Sequence, residues 1–198
     1  MKLGIMGGTF DPIHKGHLYM AKTALKEAGL DQVLFLPDGD PPHKSPVAAP
    51  EIRLHMVRLA IQNEEGLLAS DLEIKRKGTT YTVDTLLALR DQGEKRELYY
   101  IVGSDTLFQI PTWHTAQKVA QMCSLLVMMR GDDQESEVRI LKEKLFKDLG
   151  FKSRLLHARG LPISSGMIRE RLLKGESVQD LLPHDVWRYI AENGLYRR

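Results

Sequence analysis

The chain has 198 residues, 42% of them hydrophobic and 27% charged, and its 28 basic and 26 acidic side chains leave a formal net charge of +2. Those proportions exclude intrinsic disorder, and so slight an imbalance gives no footprint for DNA or RNA, although a local basic pocket for a small anion stays open. The single cysteine, Cys123 in the apolar run MCSLLVMM, excludes an intrachain disulfide and reads as a small core residue of a reducing compartment.

No segment approaches the length of a membrane span, and MKLGIMGGTFDP is too briefly apolar for a signal peptide, so a cytoplasmic setting is expected. In chain order, Lys2 to Met6 predicts a short buried strand followed by a Gly-rich turn. From His17 to Ala28, the residues Leu18, Ala21, Ala24, Leu25 and Ala28 recur at helical spacing, and Gly29 can stop the helix. Val33 to Leu36 is a second strand, which completes a strand–helix–strand unit with parallel strands. PDGDPPHKSPVAAP, with five prolines, predicts a surface loop. Beyond it, Ile52 to Ala60 reads as a helix, Leu67 to Ser70 as a strand, Thr82 to Leu89 as a helix and Leu98 to Val102 as a strand. GSDTLFQIPTWH forms a loop or a helix broken at Pro111. A short helix from Ala116 to Gln121 and a strand from Leu125 to Met129 come next. Val138, Leu141, Leu145 and Leu149 share one face of a charged helix that Gly150 can end. Arg154 to His157 is a weaker strand, ISSGMIRERLLKG a helix with a Ser cap, and the last helix has Pro183 near its start and Gly194 past its end. Five or six strands alternating with helices predict an open parallel sheet, in one domain over 1–198.

GGTFDPIHKGH sits between the first strand and the first helix. In such sheets ligands gather beyond the carboxyl ends of the strands, at helix amino ends. Gly7 and Gly8 permit a tight turn with exposed amides, Gly16 permits close approach, and the unpartnered amides of a helix start attract phosphate. His14 and His17, three residues apart, can face one polyphosphate; either ring can equally be a cap or a structural contact. GxGxxG and GxxxxGK[ST] are both absent, as are HExxH and any cysteine cluster. A dinucleotide fingerprint, a P-loop and a zinc site are therefore not expected, and no protein metal ligand is expected.

The HxGH core from His14 to His17 resembles the first signature of the nucleotidylyltransferase superfamily, and ISSGMIRERL resembles its second, an ISSTxIR-like segment. PPHK at 41–44, YTVDTL at 81–86, GSDTLFQIPTWH and the closing ENGLY are similar to a narrower group, the bacterial nicotinate-nucleotide adenylyltransferases. The resemblance covers essentially the whole chain. It implies a Rossmann-like open parallel sheet with helices on both faces. It also implies transfer of AMP from ATP to nicotinate mononucleotide, giving nicotinate adenine dinucleotide and pyrophosphate in NAD biosynthesis. Both reacting groups belong to the substrates, so placement and charge stabilisation would supply the catalysis. Mg2+ is expected through the ATP phosphates and water.

By resemblance, His14, His17 and Arg169 are the catalytic residues, with Arg169 gripping the β and γ phosphates. Gly7, Gly8, Thr9, Phe10, Asp105, Ile163, Ser164 and Ser165 complete the ATP site; for Asp105, ribose, adenosine and a local amide all remain candidates. Nicotinate mononucleotide falls to Thr9, Lys44, Tyr81, Thr82, Thr85 and Trp113. Lys44, beside the less certain His43, would meet the acceptor phosphate, Trp113 the ring, and Thr85 with the backbone from Tyr81 the ring carboxylate. Asp11 could instead cap a turn. In one departure, Gly166 stands where the family usually has Ser or Thr, which removes a hydroxyl near the triphosphate. Competing readings are a related transferase of pantetheine phosphate, nicotinamide mononucleotide or a cytidine nucleotide, and a non-catalytic nucleotide sensor. Interspersed basic residues argue against a nucleic-acid partner, no membrane partner is expected, and the sequence carries no signal for an oligomeric state.

Overall fold

Six segments form strands: β1 (Lys2–Gly8), β2 (Gln32–Pro37), β3 (Leu67–Ala69), β4 (Glu97–Gly103), β5 (Ser124–Met129) and β6 (Ser153–Arg159). In the computed structural model, which describes residues 1–40, 46–76, 78–91, 95–131 and 133–197, they pair in parallel in the order β3-β2-β1-β4-β5-β6. The expected acceptor-phosphate residues His43 and Lys44 lie outside the described residues.

The helices are α1 (Lys15–Ala28), α2 (Pro50–Ile61), α3 (Leu72–Lys75), α4 (Thr82–Arg90), α5 (Ser104–Leu107), α6 (Ala116–Ala120), α7 (Glu135–Leu149), α8 (Ser165–Leu173) and α9 (His184–Glu192). Strand side chains alternate between two apolar clusters, as a period of two requires. Leu3, Ile5, Leu98, Tyr100, Leu125 and Val127 join α4, α6 and α7 on one face. Met6, Val33, Phe35, Ile101, Leu126 and Met128 join α1, α2, α8 and α9 on the other. Burial on both faces explains why the inner strands β2, β4 and β5 are largely apolar, whereas the edge strand β6 carries Arg154, His157 and Arg159 and buries only Leu156. Cys123 lies within the first of these clusters, where burial pushes its thiol up to about 12.

The glycine stops behave as expected: Gly29 and Gly150 end α1 and α7 in the left-handed region, at φ 61° and 82°. Two boundaries that frame the cleft differ from expectation. β1 runs on through Gly7 and Gly8, so these are strand residues and the turn begins at Thr9. α1 starts at Lys15, which makes His14 its N-cap and puts Gly16 in the first turn. The single turn of α3 was not expected, because four residues are too few to show a helical period. GSDTLFQIPTWH resolves into α5 and a 3-10 turn at Ile110–Thr112 around Pro111. Among the described residues no helix is long and apolar enough to cross a membrane.

The chain winds outward from β1 through β2 to β3, then returns to place β4 on the other side of β1. That reversal opens a crevice between the carboxyl ends of β1 and β4, the usual ligand position in such a sheet.

Candidate active site

A cleft of about 910 Å³ occupies this crevice. Gly7 and Gly8 form its floor at the end of β1. A side chain at Gly7 would collide with the Tyr100 hydroxyl, so glycine there leaves room for the Tyr100 phenol on the cleft wall. The His14 and His17 rings stack with centroids 3.7 Å apart, and Phe10 meets His17 edge-on at 5.0 Å. The His14 amide donates to His17 Nδ1 at 3.3 Å. Gly16 has a steric reason: a Cβ there would stand 2.9 Å from His14 Nδ1. The tripeptide spacing therefore folds one imidazole back over the helix start. His14 is 2% exposed, and burial, reinforced by the Arg130 charge, lowers its pKa to about 3. At neutral pH it is an uncharged ring, and its Nδ1 is buried without a hydrogen-bond partner among the described residues.

The second signature arrives from 150 residues away and is bonded to this turn. Ser164 caps α8 by accepting from the Met167 amide at 3.2 Å, Ser165 Oγ donates to the Pro12 carbonyl at 2.8 Å, and Arg169 Nη1 donates to the Asp11 carbonyl at 2.5 Å. The amino ends of α1 and α8 thus open onto the same cleft, with His14, His17, Ser164, Ser165, Gly166 and Arg169 on its wall. Two helix starts bring unpartnered amides and the positive ends of two dipoles to one place, which suits a polyphosphate. Ile163 packs against the apolar core and is not on the cleft wall.

Asp11 is 3% exposed and accepts from the amides of Val47 (2.7 Å) and Ala48 (3.2 Å) and from the Tyr196 hydroxyl (2.6 Å). It caps backbone far from it in sequence. Arg53, fully buried, donates to the carbonyls of Ala48, Thr9 and Asp38 and pairs with the Asp38 carboxylate at 3.0 Å; Thr9 Oγ1 donates to the same carboxylate at 3.2 Å. Arg53 fixes Thr9 at the mouth of the cleft. Sequence reading missed it, although its position three and four residues before the buried Met56 and Val57 of α2 puts it on the apolar face.

Tyr81, Thr82 and Trp113 line the far end of the cleft. Trp113 stands edge-on to Tyr100 at 5.5 Å, and Tyr81 pairs with His114 at 4.6 Å, giving an aromatic wall. Thr85 is fully buried and does not reach the cleft; its Oγ1 donates to Glu73 Oε1 at 2.6 Å. Asp105 does reach it, paired at 3.4 Å with Arg130, a cleft cation that sequence reading did not single out.

Topology and cleft define the class: a doubly wound α/β protein with an anion-receptive crevice beside an aromatic one. A family model described as Cytidylyltransferase-like matches residues 5–171. A Dehalococcoides mccartyi protein named probable nicotinate-nucleotide adenylyltransferase is 42% identical, the alignment covering 100% of this chain and 98% of that one. A Trichlorobacter lovleyi protein of the same name is 38% identical over 100% of both. Among solved structures, Plasmodium falciparum nicotinic acid mononucleotide adenylyltransferase complexed with NaAD superposes with a TM-score of 0.81 at 21% identity, over 98% of this chain and 97% of that one. That likeness bears on the fold. The chain belongs to the cytidylyltransferase-like family and, within it, to the nicotinate-nucleotide adenylyltransferases.

Proposed function

We propose that the cleft binds ATP and nicotinate mononucleotide together and transfers AMP from the first to the second, forming nicotinate adenine dinucleotide and pyrophosphate for NAD biosynthesis. The observation that carries this reading is the convergence of the α1 and α8 amino ends on one cleft whose other end is aromatic. An acceptor phosphate oxygen attacks the α-phosphorus, the bond to pyrophosphate breaks in line, and no enzyme nucleophile takes part. Gly7, Gly8, Thr9 and Phe10 shape the floor and mouth. His14 donates as a neutral ring, His17 stands beside it at the transferring centre, and Arg169 holds the departing pyrophosphate with the help of Ser164 and Ser165. Arg130 adds a second cation near Asp105. Trp113 supports the nicotinate ring, with Tyr81 and Thr82 toward its carboxylate and Lys44 assigned to its phosphate; Thr85, buried off the cleft, is not a direct contact.

ATP enters as its Mg2+ complex. Of the cleft carboxyl groups, Asp38 and Asp105 pair with arginines, Asp11 accepts from the Val47 and Ala48 amides and the Tyr196 hydroxyl, and Glu73 accepts from Thr85; among the described residues no group of three or more His, Cys, Asp or Glu converges as a metal cage. A magnesium ion carried by triphosphate and water fits those surroundings. A single domain, working in the cytoplasm with small molecules as its partners, belongs to the same reading.

A product assay with ATP or CTP and each of nicotinate mononucleotide, nicotinamide mononucleotide and pantetheine phosphate tests it. The expected product is nicotinate adenine dinucleotide, with strong preference for the acid acceptor. Turnover of only an amide, pantetheine or cytidine substrate overturns the assignment, and ATP binding without turnover points to a sensor.

A further inference from the structure

We propose that Glu73 determines acceptor specificity by presenting an uncharged carboxyl, fixed through Thr85 and Arg76, to the acid group of the incoming acceptor. The inference rests on the transfer reaction proposed above. Glu73, on α3, is only 4% exposed, yet it lines the acceptor end of the cleft beside Thr80, Tyr81, Thr82 and Tyr100. A carboxylate on that wall would repel an acceptor that itself carries a carboxylate and a phosphate, whereas an acid can donate to it.

The surroundings hold the group in place. Thr85 Oγ1 donates to Glu73 Oε1 at 2.6 Å and accepts from Arg76 Nη1 at 3.2 Å, so a short relay fixes the carboxyl and leaves its second oxygen to carry the acid proton. A second observation marks the same wall as a ligand position. Thr80 is nine-tenths buried, and its Oγ1 has no hydrogen-bond partner among the described residues. Such a hydroxyl is costly until a ligand meets it.

The groups that act on Glu73 come from four directions. Asp38, after β2 and paired with Arg53 of α2, opposes its ionisation; Arg76, just past α3, favours it; Thr85 of α4 also favours it by donation. The Tyr100 phenol on β4 is pushed up by burial and stays neutral. Burial outweighs the rest and raises Glu73 from the ordinary carboxylate range to about 7. The acid form therefore prevails below pH 7 and is lost above it.

The test is the KM for nicotinate mononucleotide, measured with Mg2+ and saturating ATP from pH 6 to pH 8.5, for the wild type and Glu73→Gln. Dividing the two values at each pH cancels the acceptor's own titration. The wild-type to E73Q ratio should rise at least about fivefold across the range, because one unit of pH changes the acid fraction tenfold above the midpoint. Thr85→Val, which removes the donor that favours ionisation, should move the wild-type midpoint to higher pH, and Thr85→Ser should restore it. A flat ratio with normal wild-type turnover overturns the inference alone, as does a loss of melting temperature in E73Q with no change in the pH profile. Absence of wild-type turnover overturns the transfer reading and this inference with it.

Discussion

The ring of His14 is buried at the start of α1 and stacked against His17, and its neutrality follows from that burial more than from any partner. Its folded pKa of about 3 stands below the 6.5 of the unfolded chain. Between those values the unfolded state binds the extra proton, so the stabilisation is present above pH 6.5 and is lost as the pH falls toward 3. From pH 6.5 to pH 4 the loss is on the order of 2–3 kcal/mol. His14→Gln lacks this titration, and its urea midpoint should fall by less over the same window; parallel curves for the two proteins would show that His14 is not held neutral. At this scale the sequence reading was uneven. HxGH marked both histidines and the glycine between them, because a motif fixes positions along the chain. Arg53, Glu73 and Arg130 escaped it, because their roles depend on partners at Thr9, Thr85 and Asp105 that only the fold brings near.

Element by element, the glycine helix stops and the serine cap of α8 were the most readable features. Gly29 and Gly150 terminate α1 and α7 through a left-handed residue that few others adopt cheaply, and Ser164 caps α8 with its own hydroxyl. α3 gave no signal at four residues, yet it carries Glu73. The start of α8 also holds Gly166, where the resemblance to the second signature implies Ser or Thr. A Cβ there would meet only Ser164 Oγ, at 4.0 Å, so nothing in the packing demands glycine. Gly166→Ser should raise helix stability by about 0.5 kcal/mol, a shift of about 1–2 °C in melting temperature for a chain of this size. It should also lower the KM for ATP by returning a hydroxyl to the cleft wall. A lower melting temperature, or a weaker hold on ATP, would show that the glycine serves a purpose of its own.

At the scale of the molecule, the strand order was not legible in the sequence. Alternation of strands and helices predicts a parallel sheet, but which strands become neighbours depends on crossovers that leave no local trace. The observed reversal at β1 and β4 gives the cleft its place, and α8 returns to it from the far end of the chain through Ser165 on Pro12 and Arg169 on Asp11. Tyr196 closes the same circuit from beyond α9 by donating to the Asp11 carboxylate. On the proposed reading, one triphosphate held between two distant segments is the arrangement on which the chemistry stands. Its most direct measurement is kcat/KM for ATP in AMP transfer by His17→Ala and Arg169→Ala, beside a melting curve for each. Each variant should remain folded and lose about 100-fold or more, as removal of a group that stabilises transferring charge does elsewhere. Near-normal transfer by either folded variant would contradict it.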